Sequence, residues 1–111
     1  ILATTGTVRT RTYQRMCEKH GLPCAVPDDA AQAAVMDVIY GDIKQGRPAD
    51  MAAFERAAAS LRAQGCDRAI LGCTELSVYK DYHGVPELYL DAMDVLAEES
   101  IRACGYPLRS V

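Results

Sequence analysis

The run Gly72-Cys73-Thr74-Glu75 places a thiol, a hydroxyl and a carboxylate on consecutive positions. It directly follows a predicted strand, residues 68–71, whose last three residues are apolar, as is typical of a buried strand. A thiol on such a turn is partly exposed and can act as an acid, a base or a nucleophile. The amides of Thr74 and Glu75 are expected to lower the pKa of Cys73 if a helix begins there. The position leaves one alternative open, an inert core cysteine, because cysteine is among the most buried residue types.

A second polar group, Thr4-Thr5-Gly6-Thr7, follows the apolar residues at the start of the sequence. Hydroxyls and backbone N–H groups at the N-terminus of a helix suit a carboxylate ligand. The plainer interpretation is a helix-capping turn in which Thr7 is the N-cap. Carboxylates also follow the other predicted strands, at Asp28, Asp29 and Asp91. In open α/β sheets ligands bind beyond the carboxyl ends of the strands, so these positions are all candidates.

Strand and helix patterns alternate along the whole chain. Strands are predicted at residues 1–4, 24–26, 68–71 and 88–90. Helices are predicted at 8–19, from Asp28 to about residue 46, from the cap Asp50 to Gly65, and from the cap Asp91 to about residue 104, with 76–86 as a looser connection. The predicted buried stripes of the two middle helices are Val35, Val38, Ile39 and Ile43, and Met51, Phe54, Ala58 and Leu61. This order predicts one α/β domain, 1–111, with a four-stranded parallel sheet flanked by helices.

The composition excludes several classes of function. The chain has 111 residues and a net charge of -3, and its Lys and Arg residues are scattered, so no nucleic-acid partner is expected. No run reaches the length of a membrane span and no signal peptide opens the sequence, which predicts a cytoplasmic protein with no membrane partner. The five cysteines include no C-x-x-C pair and neither histidine is spaced like a ligand, so we expect reduced thiols and no metal.

The residues from Ala69 to Leu76 resemble the I-L-G-C-T-E signature around the second cysteine of aspartate racemases, within the aspartate/glutamate racemase family. The opening Leu2-Ala3-Thr4-Thr5-Gly6-Thr7, followed by Tyr13, is similar to the L-A-T-x-G-T segment that starts the family's second domain. Lys44 matches a lysine that the aspartate racemase branch carries in this helix. Asp91 matches the aspartate that begins the family's last helix. The resemblance therefore spans nearly the whole chain.

The resemblance implies racemisation of an acidic amino acid without a cofactor, by two cysteines on opposite faces of the substrate. It makes Cys73 one of the two bases. It also implies that Thr4, Thr7 and Thr74 hold carboxylate oxygens and that Lys44 neutralises a carboxylate. Gly6 and Glu75 complete the substrate-binding residues that it implies. For Lys44 the alternative is a lysine that only complements the end of its helix. The sequence does not distinguish aspartate from glutamate or from another acidic or polar amino acid as the substrate.

No Cys-Asn-Thr motif occurs in the chain, although the family carries its first catalytic cysteine in that motif. We therefore expect the chain to be the C-terminal domain of a longer protein, and to be inactive without the N-terminal domain. The oligomeric state stays open, a homodimer included. Two alternatives also stay open: a related two-domain enzyme such as a hydantoin racemase, maleate isomerase or arylmalonate decarboxylase, and a non-catalytic α/β domain that binds a small acid. Thr74 and Glu75 favour the amino-acid racemases.

Overall fold

The computed structural model describes residues 1–110 and confirms the α/β class. It contains the helices α1 (Thr5–Arg9), α2 (Thr12–Lys19), α3 (Asp29–Met36), α4 (Met51–Ala63), α5 (Thr74–His83) and α6 (Ala92–Ala103), and the strands β1 (Ala69–Leu71) and β2 (Tyr89–Asp91). A π-helical turn, Asp37–Asp42, and a 3-10 turn, Ile43–Gln45, continue α3. No helix within residues 1–110 combines the length and the apolar character that crossing a membrane requires.

The sheet is smaller than the four strands predicted. β1 and β2 pair in parallel, with Leu71 opposite Asp91, and Leu2 adds a single parallel bridge to Leu71 on the other side of β1. Residues 24–26 form no strand; the amino group of Ile1 donates one hydrogen bond to the carbonyl of Ala25. Pro27 has no N–H to give, which helps to explain why no ladder forms along this segment.

The core lies between the sheet and the helices α3 and α4. Its largest fully buried side chains are Leu2, Ile39, Leu71, Leu76 and Val38. Most of the predicted stripes are confirmed, because Val35, Val38, Ile39, Phe54, Ala58 and Leu61 are buried. Met51 was wrongly included in them: it is 55% exposed, since it is the first residue of α4 and precedes the packed turns.

The predicted single helix over 8–19 is wrong. Thr4, not Thr7, is the N-cap of the first helix, and its hydroxyl accepts a hydrogen bond from the N–H of Thr7. The chain then breaks at Arg11, which adopts a left-handed conformation with φ 58° before α2 begins. A non-glycine residue rarely adopts this conformation, so the propensity of the local sequence did not reveal the break.

The predicted loop over 76–86 is also wrong for most of its length, because α5 extends to His83. Leu76, Ser77 and Tyr79 are buried on one side of this helix. Tyr79 stacks on Phe54 with the ring centroids 4.0 Å apart. Gly84, with φ 72°, ends the helix. The spacing of Leu76 and Tyr79 was a helical signal, but the polar residues that follow Tyr79 (Lys80, Asp81 and His83) obscured it.

Candidate functional site

Cys73 lies at the end of β1 and immediately before α5. Its carbonyl accepts hydrogen bonds from the N–H groups of Leu76 and Ser77, so the residue is the N-cap of the helix. The side chain is half-buried and packs against the hydrophobic core. Gly72 donates its N–H to the carbonyl of Leu2 at 2.8 Å, which holds this turn beside the first segment of the chain.

The Cys73 thiol donates a hydrogen bond to Oε2 of Glu75, with Sγ and the oxygen 2.9 Å apart. The Thr74 hydroxyl donates to the same oxygen at 3.0 Å. Nζ of Lys44 lies 3.6 Å from the other oxygen, Oε1, and 4.6 Å from the centre of the Tyr40 ring. Four of the predicted site residues, Lys44, Cys73, Thr74 and Glu75, therefore form one cluster, which we call the thiol–carboxylate cluster.

Burial raises the pKa of the Cys73 thiol, and the hydrogen bond to Glu75 raises it further because the thiol donates to a carboxylate that repels the thiolate. The N–H groups of Glu75 and Leu76 lower the pKa of Cys73, but their effect is smaller. The amides at the start of α5 therefore lower the pKa of Cys73, as expected, but they do not decide the net shift, which is upward. Although α5 does begin at Thr74, desolvation and the neighbouring carboxylate outweigh its amides.

Glu75 shows the opposite change. The hydrogen bond from the Cys73 thiol lowers the pKa of the Glu75 carboxyl, and the Thr74 hydroxyl and the charge of Lys44 lower it further, against the raising effect of burial. The resting cluster thus holds a neutral thiol beside an ionised carboxylate at neutral pH. This arrangement can hold a proton on sulfur and offers that proton a defined acceptor.

Thr4, Gly6 and Thr7 lie at the end of the neighbouring segment and not in the thiol–carboxylate cluster. The hydroxyls of Thr4 and Thr7 lie 3.0 Å apart and are hydrogen-bonded to each other. Gly6 is exposed, and the nearest atom to a Cβ built on it would be Oγ1 of Thr4 at 3.9 Å, so the space beside its backbone is open. No hydrogen bond found among residues 1–110 joins these three residues to Cys73. They share its edge of the sheet because Leu2 is paired with Leu71.

Two residues that the sequence did not assign to the site support it. Gln32 donates from Nε2 to the carbonyl of Ala3 at 2.9 Å, which fixes the backbone just before Thr4. Its Oε1 is buried and has no hydrogen-bond partner among residues 1–110. The ring of Tyr13 packs against Gly72. The only sequence signal for Tyr13 was its place in the segment that resembles L-A-T-x-G-T, and Gln32 gave no signal of this role.

Asp91 supports the cluster from the next strand. Its buried carboxylate accepts hydrogen bonds from the Ser77 hydroxyl at 2.8 Å and from the N–H of Met93 at 3.0 Å, and Nζ of Lys80 lies 2.8 Å from its second oxygen. The predicted N-cap role in α6 is confirmed. Since Ser77 and Lys80 belong to α5, Asp91 also joins α5 to β2, whereas Asp28 caps α3 and donates its N–H to Ser60.

A cavity of about 590 Å³ lies away from Cys73, at the other ends of the strands. Its lining includes Ile1, Cys24, Cys66, Arg68 and Tyr89. It contains none of the predicted site residues, so its size alone does not make it the reaction site. All five cysteines are free thiols, and no group of three His, Cys, Asp or Glu side chains within 1–110 is arranged to hold a metal ion.

Comparisons with known proteins found relatives of this chain and a matching family model. A 35% identical relative, named "uncharacterized protein in pnlA 3′ region" of Pectobacterium carotovorum subsp. carotovorum, aligns over 91% of this chain and 69% of its own length. A glutamate racemase of Shewanella loihica (strain ATCC BAA-1088 / PV-4) is 30% identical over 87% of this chain, and the chain spans 37% of that enzyme's length. The model of the Asp/Glu/Hydantoin racemase family matches residues 1–100. This chain therefore belongs to the Asp/Glu/hydantoin racemase family.

Proposed function

We propose that this chain supplies one catalytic acid/base, the Cys73 thiol, for the cofactor-independent racemisation of an acidic amino acid, aspartate or glutamate. The observation that carries the proposal is the 2.9 Å hydrogen bond from the Cys73 thiol to Glu75, whose other oxygen faces Lys44. A thiol, a proton acceptor and a cation are the groups that such a reaction requires at one face of its substrate.

In the proposed reaction a base on the opposite face breaks the Cα–H bond of the substrate and takes the proton. The S–H bond of Cys73 then breaks as its proton passes to the carbanion, and Cys73 is left as a thiolate. In the reverse direction that thiolate removes the α-proton. Because its pKa is raised, Cys73 begins as a protonated thiol at neutral pH, which suits the donating step.

The carbanion intermediate requires electrostatic stabilisation around the α-carboxylate. We assign the hydroxyls of Thr4, Thr7 and Thr74 and the backbone of Gly6 to this role. The hydrogen bond between the hydroxyls of Thr4 and Thr7 orients both groups before substrate arrives. The open space beside Gly6 supports the close approach of a carboxylate to its backbone.

Lys44 is assigned to the second carboxylate of the substrate. Its pairing with Glu75 spans 3.6 Å, and the two side chains are 40% and 21% exposed. Such an exposed pair contributes about 0–1 kcal/mol, whereas a charged hydrogen bond in a closed site contributes roughly 1.5–3 kcal/mol. A substrate carboxylate can therefore compete for Lys44 while Glu75 keeps the hydrogen bond from Cys73.

The opposing base is assigned to a second domain, so that this chain acts as the C-terminal half of a two-domain enzyme. The 37% share of the glutamate racemase that this chain spans supports a longer protein. Helix α6 supports it too, because none of its residues is buried and Met93, Leu96 and Ile101 are exposed. An apolar helix face of this kind is typical of a surface that another part of a protein covers.

The test uses the two-domain protein with Cys73→Ser, and Cys17→Ala and Cys104→Ala as matched cysteine controls. Circular dichroism follows the optical signal of L-aspartate, L-glutamate and a 5-substituted hydantoin. We expect Cys73→Ser to lose racemisation, since a hydroxyl is a far poorer acid or base than a thiol near neutral pH, and both controls to retain it. Near wild-type turnover by Cys73→Ser would refute the assignment. Turnover of the hydantoin alone would favour a hydantoin racemase, and no turnover of any substrate would favour a small-acid-binding domain.

A further inference from the structure

The ring of Tyr13 occupies the space that a side chain at position 72 would need. A Cβ built on Gly72 would lie 2.8 Å from Cε2 and 3.1 Å from Cζ of Tyr13. The first distance is shorter than carbon atoms in folded proteins approach one another. Position 72 therefore requires glycine so that the ring can lie directly on the backbone that leads into Cys73.

The same ring lies between the two segments of the site, the one that leads into Thr4 and the one that leads into Cys73. The Cβ built on Gly72 would also lie 3.3 Å from Cβ of Ala3, so Ala3 and Tyr13 border the same space. Ala3 precedes Thr4, and Gly72 precedes Cys73. Backbone hydrogen bonds from Leu2 to Ile70 and from Gly72 to Leu2 join these segments, and in the described part of the chain the backbone pairing ends at Gly72. Tyr13 is thus the side-chain contact at the place where the backbone pairing ends.

The chemistry of the phenol suits a position beside a thiol. Tyr13 is partly exposed. Burial raises the pKa of the Tyr13 hydroxyl, and the nearby groups Cys73 and Asp91 raise it further. The ring therefore stays uncharged near neutral pH and adds no full charge to the thiol–carboxylate cluster.

We propose that Tyr13 is a positioning residue, whose ring presses on Gly72 and so fixes the direction in which Cys73 projects toward the substrate. The catalytic consequence rests on the proposed function of Cys73, whereas the effect on the thiol itself does not. Misplacement of a reacting group by about 1 Å can cost on the order of a hundredfold in rate. Loss of the ring should therefore impair proton transfer even though the thiol becomes more accessible.

The first measurement is the rate at which iodoacetamide alkylates Cys73 in the 111-residue chain, as a function of pH. Mass spectrometry of the tryptic peptide 69–80 reports on Cys73 alone, because this peptide contains no other cysteine. We expect Tyr13→Leu to raise the rate at neutral pH about fivefold or more, since less burial lowers the pKa of the thiol. Tyr13→Phe keeps the ring and should stay within about twofold of wild type.

Tyr89→Leu is the matched control for a lost tyrosine. Tyr89 begins β2 beside Ala69, at the opposite end of β1 from Cys73, so its loss should leave alkylation of Cys73 unchanged. An unchanged rate and pH midpoint in Tyr13→Leu would overturn the proposal, as would equal changes in Tyr89→Leu.

Gly72→Ala keeps the ring of Tyr13 and so keeps the proposal testable if Tyr13→Leu fails to fold; an unchanged alkylation rate in Gly72→Ala would also overturn the proposal. Gly72→Ala alone should disturb the alkylation of Cys73, because the added Cβ meets the ring. Combination with Tyr13→Ala removes that clash, so the two effects should be strongly non-additive. Additive effects would mean that the ring does not act through Gly72, and the proposal would be wrong.

Steady-state kinetics of the two-domain protein then separate positioning from binding. We expect Tyr13→Leu to lower kcat about tenfold with KM within about twofold, in contrast to its faster alkylation. A higher KM with unchanged kcat would contradict positioning. If the wild-type protein racemises no substrate, the proposed function fails, while the alkylation results still decide whether Tyr13 positions Cys73.

Discussion

Nζ of Lys44 lies 3.6 Å from Oε1 of Glu75, while Oε2 of the same carboxylate accepts the hydrogen bond of the Cys73 thiol. The 3-10 turn Ile43–Gln45 brings Lys44 to the first turn of α5, although the two are far apart in sequence. A single carboxylate thus connects the candidate base to the candidate cation. A change at Lys44 or Glu75 should therefore affect both the binding of substrate and the reactivity of the thiol.

Lys44→Met in the two-domain protein should lower kcat/KM for aspartate by about tenfold or more, on the order of 1.4 kcal/mol. The loss is expected because the second carboxylate of aspartate would have no cation to pair with. The kcat/KM for a neutral amino acid of similar size should therefore fall much less. Steady-state kinetics on both substrates measure the difference. Lys19→Met, at the exposed end of α2, is the matched control. Equal losses on both substrates would assign Lys44 to the α-carboxylate or to the fold instead.

Glu75→Gln should lower the pKa of the Cys73 thiol. The Glu75 carboxylate raises that pKa through its hydrogen bond with the thiol and through its negative charge, which disfavours the thiolate. A neutral amide removes the charge and can donate to sulfur, so alkylation by iodoacetamide at neutral pH should become about threefold faster or more.

The pH profile of alkylation at peptide 69–80 measures this effect. Glu87→Gln is the matched control, because Glu87 is exposed in the connection between α5 and β2. If the midpoint of the Cys73 alkylation profile moves to higher pH in Glu75→Gln, the carboxylate stabilises the thiolate, contrary to this prediction.

Asp91→Asn should destabilise the fold at neutral pH by about 2–3 kcal/mol, since it leaves the ammonium of Lys80 without its buried partner. Burial raises the pKa of Asp91, but hydrogen bonds from Lys80, Ser77 and the N–H of Met93 together bring it below its usual value. A lowered pKa in the folded state stabilises the protein above the unfolded pKa of about 3.9. This contribution is lost as the pH falls through the folded pKa.

Urea unfolding at several pH values measures the contribution of Asp91. The difference between wild type and Asp91→Asn should be largest above about pH 5 and shrink in more acidic solution. Asp94 is the other partner of Lys80, and its side chain is 61% exposed. Asp94→Asn should therefore lower the free energy of unfolding by about 1 kcal/mol or less. A difference that is constant with pH would mean that the charge of Asp91 is not what stabilises the fold.

In the proposed mechanism this chain supplies one acid/base and one side of the pocket. We therefore expect the 111-residue chain by itself not to racemise amino acids at a useful rate. Circular dichroism of L-aspartate incubated with the chain measures this directly. The proposed two-domain protein is the positive control. Rapid loss of the optical signal with the chain alone would show that a second base is available without a second domain.

Local patterns in the sequence determined a good part of the fold. The periodic apolar residues of α3 and α4 predicted which faces would be buried, and Asp50 and Asp91 predicted where two helices begin. Side-chain oxygens that cap a helix act within three residues, so the sequence alone carries this information. The pattern failed at Arg11, an exposed residue with a left-handed backbone conformation, and over 76–86, where Leu76 and Tyr79 are buried against other elements.

The resemblance of the sequence to a family pointed to Cys73, Thr74, Glu75 and Lys44, but only the tertiary structure brought Lys44 to Glu75 and Tyr13 onto Gly72. The tertiary structure likewise decided the direction in which the pKa of Cys73 shifts. From sequence the start of a helix suggested a lowered pKa, whereas in the fold burial and the Glu75 carboxylate prevail. Desolvation and charge depend on which groups pack around a thiol, and contacts between distant residues set that packing.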